Sequence, residues 1–152
     1  SLIPVKMGLL KDHDNWIDAG TGGGLPGIPL AICEKNKEWI LNDNVRKKMR
    51  VVKDIVEAMD LQNCKIVAKS ISLVEFNKGT GIVTKHAFKI DDLLRLLGNK
   101  PWSTILMWKG ADGAIDEVKE SRKAFDTTVY RFDFGDDHSF YEGKALVQIT
   151  RK

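Results

Sequence analysis

An α/β fold is predicted by three features of the sequence. An apolar strand runs into a glycine-rich turn and then a helix across Trp16–Ile32; strand-like and helix-like segments go on alternating after it; and two strand-like segments follow one another at the end. Alternating strands and helices build a parallel sheet, since each crossover helix has to pack back onto the sheet it left. A terminal pair of strands adds a hairpin and hence an antiparallel closing strand. The expected architecture is a Rossmann-like, mostly parallel seven-stranded sheet with helices on both faces, in one domain over residues 1–152.

Taken in order, residues 1–13 look like the end of a helical lead-in, with helix from Lys6 to Leu10 after Pro4. The first strand is Asn15–Ala19 and the first helix Leu25–Cys33. Pro26 suits an opening helical turn, where its missing N–H would be unpaired anyway, and Pro29 falls within the same turn. The second strand, Glu38–Leu41, ends in Asn42-Asp43-Asn44. In the second helix, Val45–Met59, the residues Val45, Met49, Val52, Val56 and Met59 recur at helical spacing and form a stripe to be buried. Arg46, Lys47, Arg50 and Lys53 fall within an arc of roughly 120° on the opposite side.

The third strand is Lys65–Ala68, leading to Lys69-Ser70-Ile71-Ser72, and the fourth is Gly81–Thr84, leading to Lys85-His86-Ala87-Phe88. A helix over Asp91–Leu97 offers Leu93, Leu94, Leu96 and Leu97 to the sheet. Pro101 introduces the fifth strand, Ser103–Trp108, whose nearly continuous apolar run befits a central position; it ends in Lys109-Gly110. After a helix over Ala114–Ala124, the segments Thr127–Phe134 and Lys144–Thr150 alternate like half-buried strands around a loop, Gly135-Asp136-Asp137-His138, in which His138 is solvated.

Composition narrows the function classes. With 43% apolar and 30% charged residues the chain has ordinary globular composition, which argues against disorder. A net charge of +3 tolerates an acidic partner such as RNA without requiring one. Cys33 and Cys64 are too few for a disulfide framework or a zinc site, so a reducing cytoplasm is expected and no metal is. No apolar run approaches the roughly 20 residues of a membrane helix.

The glycine turn can serve two chemistries, and spacing separates them. In a dinucleotide fold G-x-G-x-x-G follows the strand directly and cradles a pyrophosphate. Counted from Gly20 that register fails at Leu25; counted from Gly22 it holds (Gly22, Gly24, Gly27) but starts late. The other reading is an acidic residue closing the strand and then alternate glycines: Asp18, Gly20, Gly22, Gly24. That pattern resembles the S-adenosylmethionine loop of class I methyltransferases, whose cofactor carries an α-amino acid and a sulfonium. A carboxylate near the turn then helps instead of repelling, and this register fits better. Asp43, ending the second strand, stands where an acidic residue can accept hydrogen bonds from ribose hydroxyls; the blander role is capping the helix that follows.

The run Ile17–Ile32, with its Leu25-Pro26-Gly27-Ile28-Pro29-Leu30 segment, resembles the cofactor loop of the glucose-inhibited division protein B family. Asp43 followed by Lys47, Lys48 and Arg50, the run Ile82-Val83-Thr84 and the strand ending at Lys109-Gly110 are similar to further segments of that family. The resemblance implies a methyltransferase acting on N7 of a guanine in small-subunit (16S) ribosomal RNA, with S-adenosyl-L-methionine as cofactor. It also implies an N-terminal helical region of which this chain would carry only the tail. By resemblance and geometry together, Asp18, Gly20, Thr21, Gly22, Gly24 and Leu25 hold the methionine end of the cofactor. Asp43 holds its ribose, and Ser70 and Ile71 bracket the adenine. Lys85, His86 and Lys109 line the acceptor side, and Arg46, Lys47 and Arg50 are available to RNA phosphates.

The chain departs from the family at two places. Ser70-Ile71-Ser72 stands where the family tends to show Arg-Ala-Glu, and His86-Ala87 where it tends to show Arg-Ala. Those departures motivate one alternative, a catalytically impaired RNA- or cofactor-binding module. The Gly22-Gly24-Gly27 register motivates another, an NAD-dependent oxidoreductase. Guanine N7 attacks with a lone pair and loses no proton, so the main reading needs no acid–base dyad. The expected partner is small-subunit rRNA or a ribosomal particle, met by a cytoplasmic monomer.

Overall fold

The computed structural model describes residues 1–132 and 143–152. Seven strands form one sheet: β1 (Asn15–Ala19), β2 (Glu38–Asn42), β3 (Cys64–Val67), β4 (Thr80–Lys85), β5 (Trp102–Gly110), β6 (Phe125–Arg131) and β7 (Lys144–Arg151). Their spatial order is β3-β2-β1-β4-β5-β7-β6. Strands β1 to β5 pair in parallel, and β7 runs antiparallel to both β5 and β6. The order reverses at β1, which lies between β2 and β4. In an open α/β sheet such a switch point leaves a crevice beyond the strands' carboxyl ends, where ligands bind.

Helices α2 (Gly27–Cys33) and α3 (Arg46–Ala58) cover one face, and α4 (Ile90–Leu97) and α5 (Ala111–Ser121) the other. Alternation along the strands divides the core accordingly. Ile17, Ala19, Ile82, Ile105, Met107, Val147 and Ile149 pack with Leu93 and Leu97 of α4 and Ala114 and Val118 of α5. On the opposite face Trp16 stacks on Trp39, with ring centroids 5.9 Å apart, among Leu30, Val83 and Leu106. Met49, Val52 and Val56 of α3 dock with Leu41 and Ile28.

Several boundaries differ from expectation, each for a local reason. The N-terminal helix is α1 (Ile3–Lys6), not Lys6–Leu10. Gly8, at φ +68°, ends it: its N–H bonds to the Val5 carbonyl while the Leu9 N–H reaches back to Pro4, a Schellman closure. Helix α2 starts at Gly27 because Gly24 and Leu25 both donate to the Thr21 carbonyl and close a turn first. Of the five-residue stripe on α3 only Met49, Val52 and Val56 are buried; Val45 and Met59, at its two ends, are exposed. Helix α5 begins at Ala111, straight out of β5. Between β3 and β4 there is one 3-10 turn, Ile71–Leu73. Strand β6 runs from Phe125 to Arg131; Phe134 and the loop with His138 lie outside the described residues. No helix among the described residues is long and apolar enough to cross a membrane.

Candidate active site

A cleft of about 570 Å³ opens at the carboxyl ends of β3, β2, β1 and β4. Gly20 and Gly22 enter it from the turn after β1, Asp43, Asn44 and Val45 from the end of β2, Lys69, Ser70 and Ile71 from the end of β3, and Lys85 to Phe88 from the end of β4. Lys48 of α3 and Leu96 of α4 complete it. Val45 and Leu96 are apolar yet exposed because they line this opening.

Asp43 is the best-connected polar group of the cleft. Its Oδ2 accepts the Gly22 N–H at 3.0 Å and its Oδ1 the Val45 N–H at 3.0 Å. The carboxylate therefore ties the glycine turn to the head of α3, and the capping role and a place in the cleft coexist. Each carboxylate oxygen has a second lone pair left for an outside donor. Asn42 braces the same edge, since its amide donates to the carbonyls of Val67 (3.0 Å) and Lys69 (2.8 Å) and fixes the chain leaving β3. Ser70 Oγ lies 2.9 Å from Ser72 Oγ and accepts the Ser72 N–H, so that hydroxyl shapes the 3-10 turn as well as the cleft wall.

Asp18 sits beneath the turn, fully buried and away from the cleft. Its Oδ2 accepts the Thr21 hydroxyl at 2.6 Å and the Gly27 N–H at 2.8 Å, while Oδ1 has no partner among the described residues. A Cβ on Gly27 would lie 2.6 Å from that carboxylate and 2.4 Å from Leu41, so only glycine lets α2 start there. Asp18, Thr21 and Gly24 thus build the turn from behind while Leu25 is exposed on its outside; none of the four lines the cleft. This arrangement also disfavours a pyrophosphate, because the Gly27 N–H that would meet it is already taken by a carboxylate.

Burial pushes the Asp18 carboxyl up to about 7, against the pull of the Thr21 and Gly27 hydrogen bonds and of Lys85, with Asp43 adding to the rise. Its folded value lies above the unfolded one, so the folded state binds the extra proton between the two. The contribution of Asp18 to stability is therefore full below about 4 and is lost as pH rises through about 7. Against an Asp18→Asn variant, whose side chain does not titrate, the wild type should lose relative stability across that interval in urea titrations run at several pH values. A gap independent of pH would show that the group is not shifted.

The segment after β4 closes the other wall. His86 adopts φ +55°. Desolvation and then Lys85, Lys109 and Lys144 lower its pKa, which disfavours the charged imidazole. Lys109, expected on the acceptor side, borders two smaller neighbouring cavities, but its ammonium is committed: it donates to the Phe88 carbonyl at 2.6 Å and pairs with Glu117 at 3.1 Å. Glu117 also accepts the Ile90 N–H at 2.9 Å, capping α4 from a different helix, because Lys89 at the cap position has no acceptor side chain. Lys109 and Glu117 together pin residues 86–90 against α5. Lys109→Met should cost about 1–3 kcal/mol of stability in urea and speed hydrogen exchange at Ile90; exchange like that of the wild type would count against the pin.

Arg46, Lys47 and Arg50 lie exposed on α3, outside the cleft. Asn44, Val45, Lys48, Lys69, Ala87, Phe88 and Leu96, none of them expected as site residues, do line it. Lys48, Lys69, Ala87 and Phe88 were legible as neighbours of named residues, whereas Leu96 arrives only through packing.

The family model described as rRNA small subunit methyltransferase G (GidB) matches residues 3–134. The chain belongs to this family. Among its relatives, the ribosomal RNA small subunit methyltransferase G of Flavobacterium psychrophilum is 35% identical over all of this chain and 74% of its own length. A Thermotoga maritima S-adenosylmethionine-dependent O-methyltransferase superposes with a TM-score of 0.73 over 97% of this chain and 64% of its own, at 11% identity. A Streptococcus mutans protein solved in complex with S-adenosylhomocysteine gives 0.63 over 98% of each chain, at 13% identity.

The protein is an S-adenosylmethionine-dependent methyltransferase with the class I fold expected from its sequence, and the oxidoreductase reading falls away. The cleft fits that cofactor. Gly22, at φ +58°, has open space where a Cβ would stand, so its backbone can approach a ligand. Close by, Asp43 offers acceptors suited to a ribose hydroxyl pair.

Proposed function

We propose that this chain transfers the methyl group of S-adenosylmethionine to N7 of a guanine in small-subunit (16S) ribosomal RNA. One observation carries the reading: a single continuous cleft joins the glycine turn, the Asp43 carboxylate and the segment after β4, in a chain of the rRNA small subunit methyltransferase G family. When bound, the cofactor supplies an electrophilic sulfonium methyl. Asp43 holds the ribose, Ser70 and Ile71 border the adenine, and the Gly20–Gly22 backbone takes the amino-acid end. His86 and Ala87 turn the remaining wall toward the acceptor.

Guanine N7 has no proton to give up, so no side chain is asked to act as a base. The chain's contribution is alignment, which can be worth roughly 7–11 kcal/mol. The purine becomes cationic on methylation, and the lysines around His86 disfavour a further positive charge on that imidazole. Arg46, Lys47 and Arg50 lie on the exposed side of α3, where an RNA backbone can run along them. One chain carries the whole cleft, so the reading needs a single protomer, working in the cytoplasm on rRNA or an assembling particle.

The test is transfer of tritiated methyl to small ribosomal subunits, and to their naked RNA, from cells that lack the protein, followed by nucleoside analysis. Labelled 7-methylguanosine is the expected product. Binding of the cofactor with no transfer to either substrate would favour the catalytically impaired module.

A further inference from the structure

The cleft has a direction. With the base end of the ligand at Ser70 and Ile71 after β3 and the sugar end at Asp43 after β2, as proposed above, the remaining portion extends over the ends of β1 and β4. In this cofactor that portion is an amino acid with a carboxylate, and an anion placed in a partly closed cleft needs a cation or several donors. Three lysines line the cleft. Lys48 stands on α3 and Lys69 after β3, both at the adenosine end. Lys85, the last residue of β4, stands at the other end beside Gly20.

Lys85 is half-buried, and among the described residues no hydrogen bond or ion pair holds its ammonium. Its charge nevertheless reaches the floor of the glycine turn, where it acts on Asp18. Desolvation and the surrounding lysines disfavour a charge on its neighbour His86. Lys109 is committed to Glu117 and the Phe88 carbonyl. We propose that Lys85 is the counter-ion of the cofactor's α-carboxylate, supplying at the end of β4 the cation that the amino-acid tail requires. This rests on the orientation of the cofactor given above and reassigns Lys85 from the acceptor side to the cofactor.

A competing place for the ammonium exists, since Lys85 also borders an adjoining cavity of about 120 Å³ lined by Trp108, Lys109 and Lys144, where it would face the RNA. Calorimetry with two ligands separates the cases: S-adenosylhomocysteine, which has the amino-acid tail, and 5′-methylthioadenosine, which has the same adenosine without it. Lys85→Met should weaken S-adenosylhomocysteine roughly 10- to 100-fold, as expected for losing a charged hydrogen bond. It should change 5′-methylthioadenosine by less than about twofold on the same grounds, and Lys85→Arg should recover most of the loss. Equal weakening of both ligands would make Lys85 a structural residue and overturn the proposal. So would unchanged affinity for both with a raised KM for RNA, which would place the ammonium on the acceptor side. Failure of the wild type to bind S-adenosylhomocysteine would instead sink the cofactor site itself.

Discussion

Asp43→Ala is expected to weaken S-adenosylmethionine binding by about 10- to 150-fold, the equivalent of roughly 1.5–3 kcal/mol for a lost charged hydrogen bond. The upper part of that range is favoured because the carboxylate has two tasks. Besides facing the cleft it accepts the N–H groups of Gly22 and Val45, so its removal leaves two backbone donors to water and frees the glycine turn from α3. Binding would then bear both the missing ribose contact and the cost of ordering a loosened turn. Asp43→Asn keeps one acceptor oxygen, and it should fall between the wild type and the alanine variant. The discriminating measurement is the heat of binding of S-adenosylhomocysteine alongside urea unfolding of each free protein. A small loss of stability with a large loss of affinity is the expected pair. Unchanged affinity in Asp43→Ala would remove this residue from the site and with it the orientation of the cofactor.

Much of this cleft was legible in the sequence because its parts are local. Strand, glycine turn and helix are consecutive, the acidic end of β2 follows at a spacing set by one crossover, and sheet order then follows from alternation. The turn's inner construction was not legible. Asp18 and Gly20 belong to one spacing pattern, yet the first is sealed under the turn and the second opens on the cleft. Strand alternation alone would put both on one side; they part because the chain leaves β1 after Ala19 with Gly20 at φ +72°, and because the Thr21 and Gly27 bonds draw Asp18 inward. Lys109 was read as lining the acceptor side because it follows a strand at the ligand edge; only the approach of α5 brings Glu117 to it. Likewise the basic face of α3 was clear from its period, but the cation of α3 that borders the cleft is Lys48, which lies off that face, while Arg46, Lys47 and Arg50 stand outside the cleft; all four are exposed.

Gly20→Ala is the second substitution expected to act strongly, and it tests the contact between the two walls of the cleft. Gly20 holds φ +72°, a conformation that costs an L-residue roughly 1–2 kcal/mol. Its added Cβ would also lie 2.6 Å from the Cβ of Ala87 and 3.1 Å from the ring of Phe88. Neither neighbour can withdraw freely: the chain at Phe88 is anchored by Lys109, and Ile90 by Glu117. Overpacking of that kind adds about 1–3 kcal/mol, for a total of roughly 2–5 kcal/mol lost in urea unfolding. The strain has a second outlet, displacement of the segment carrying Lys85 and His86. Methyl transfer should therefore fall further than the folded fraction alone accounts for. Relaxing the pin in a Gly20→Ala, Lys109→Met double variant should recover part of the stability lost at Gly20, because Phe88 could then yield. Strictly additive losses in the double variant would mean that the glycine turn and the segment after β4 are not mechanically coupled.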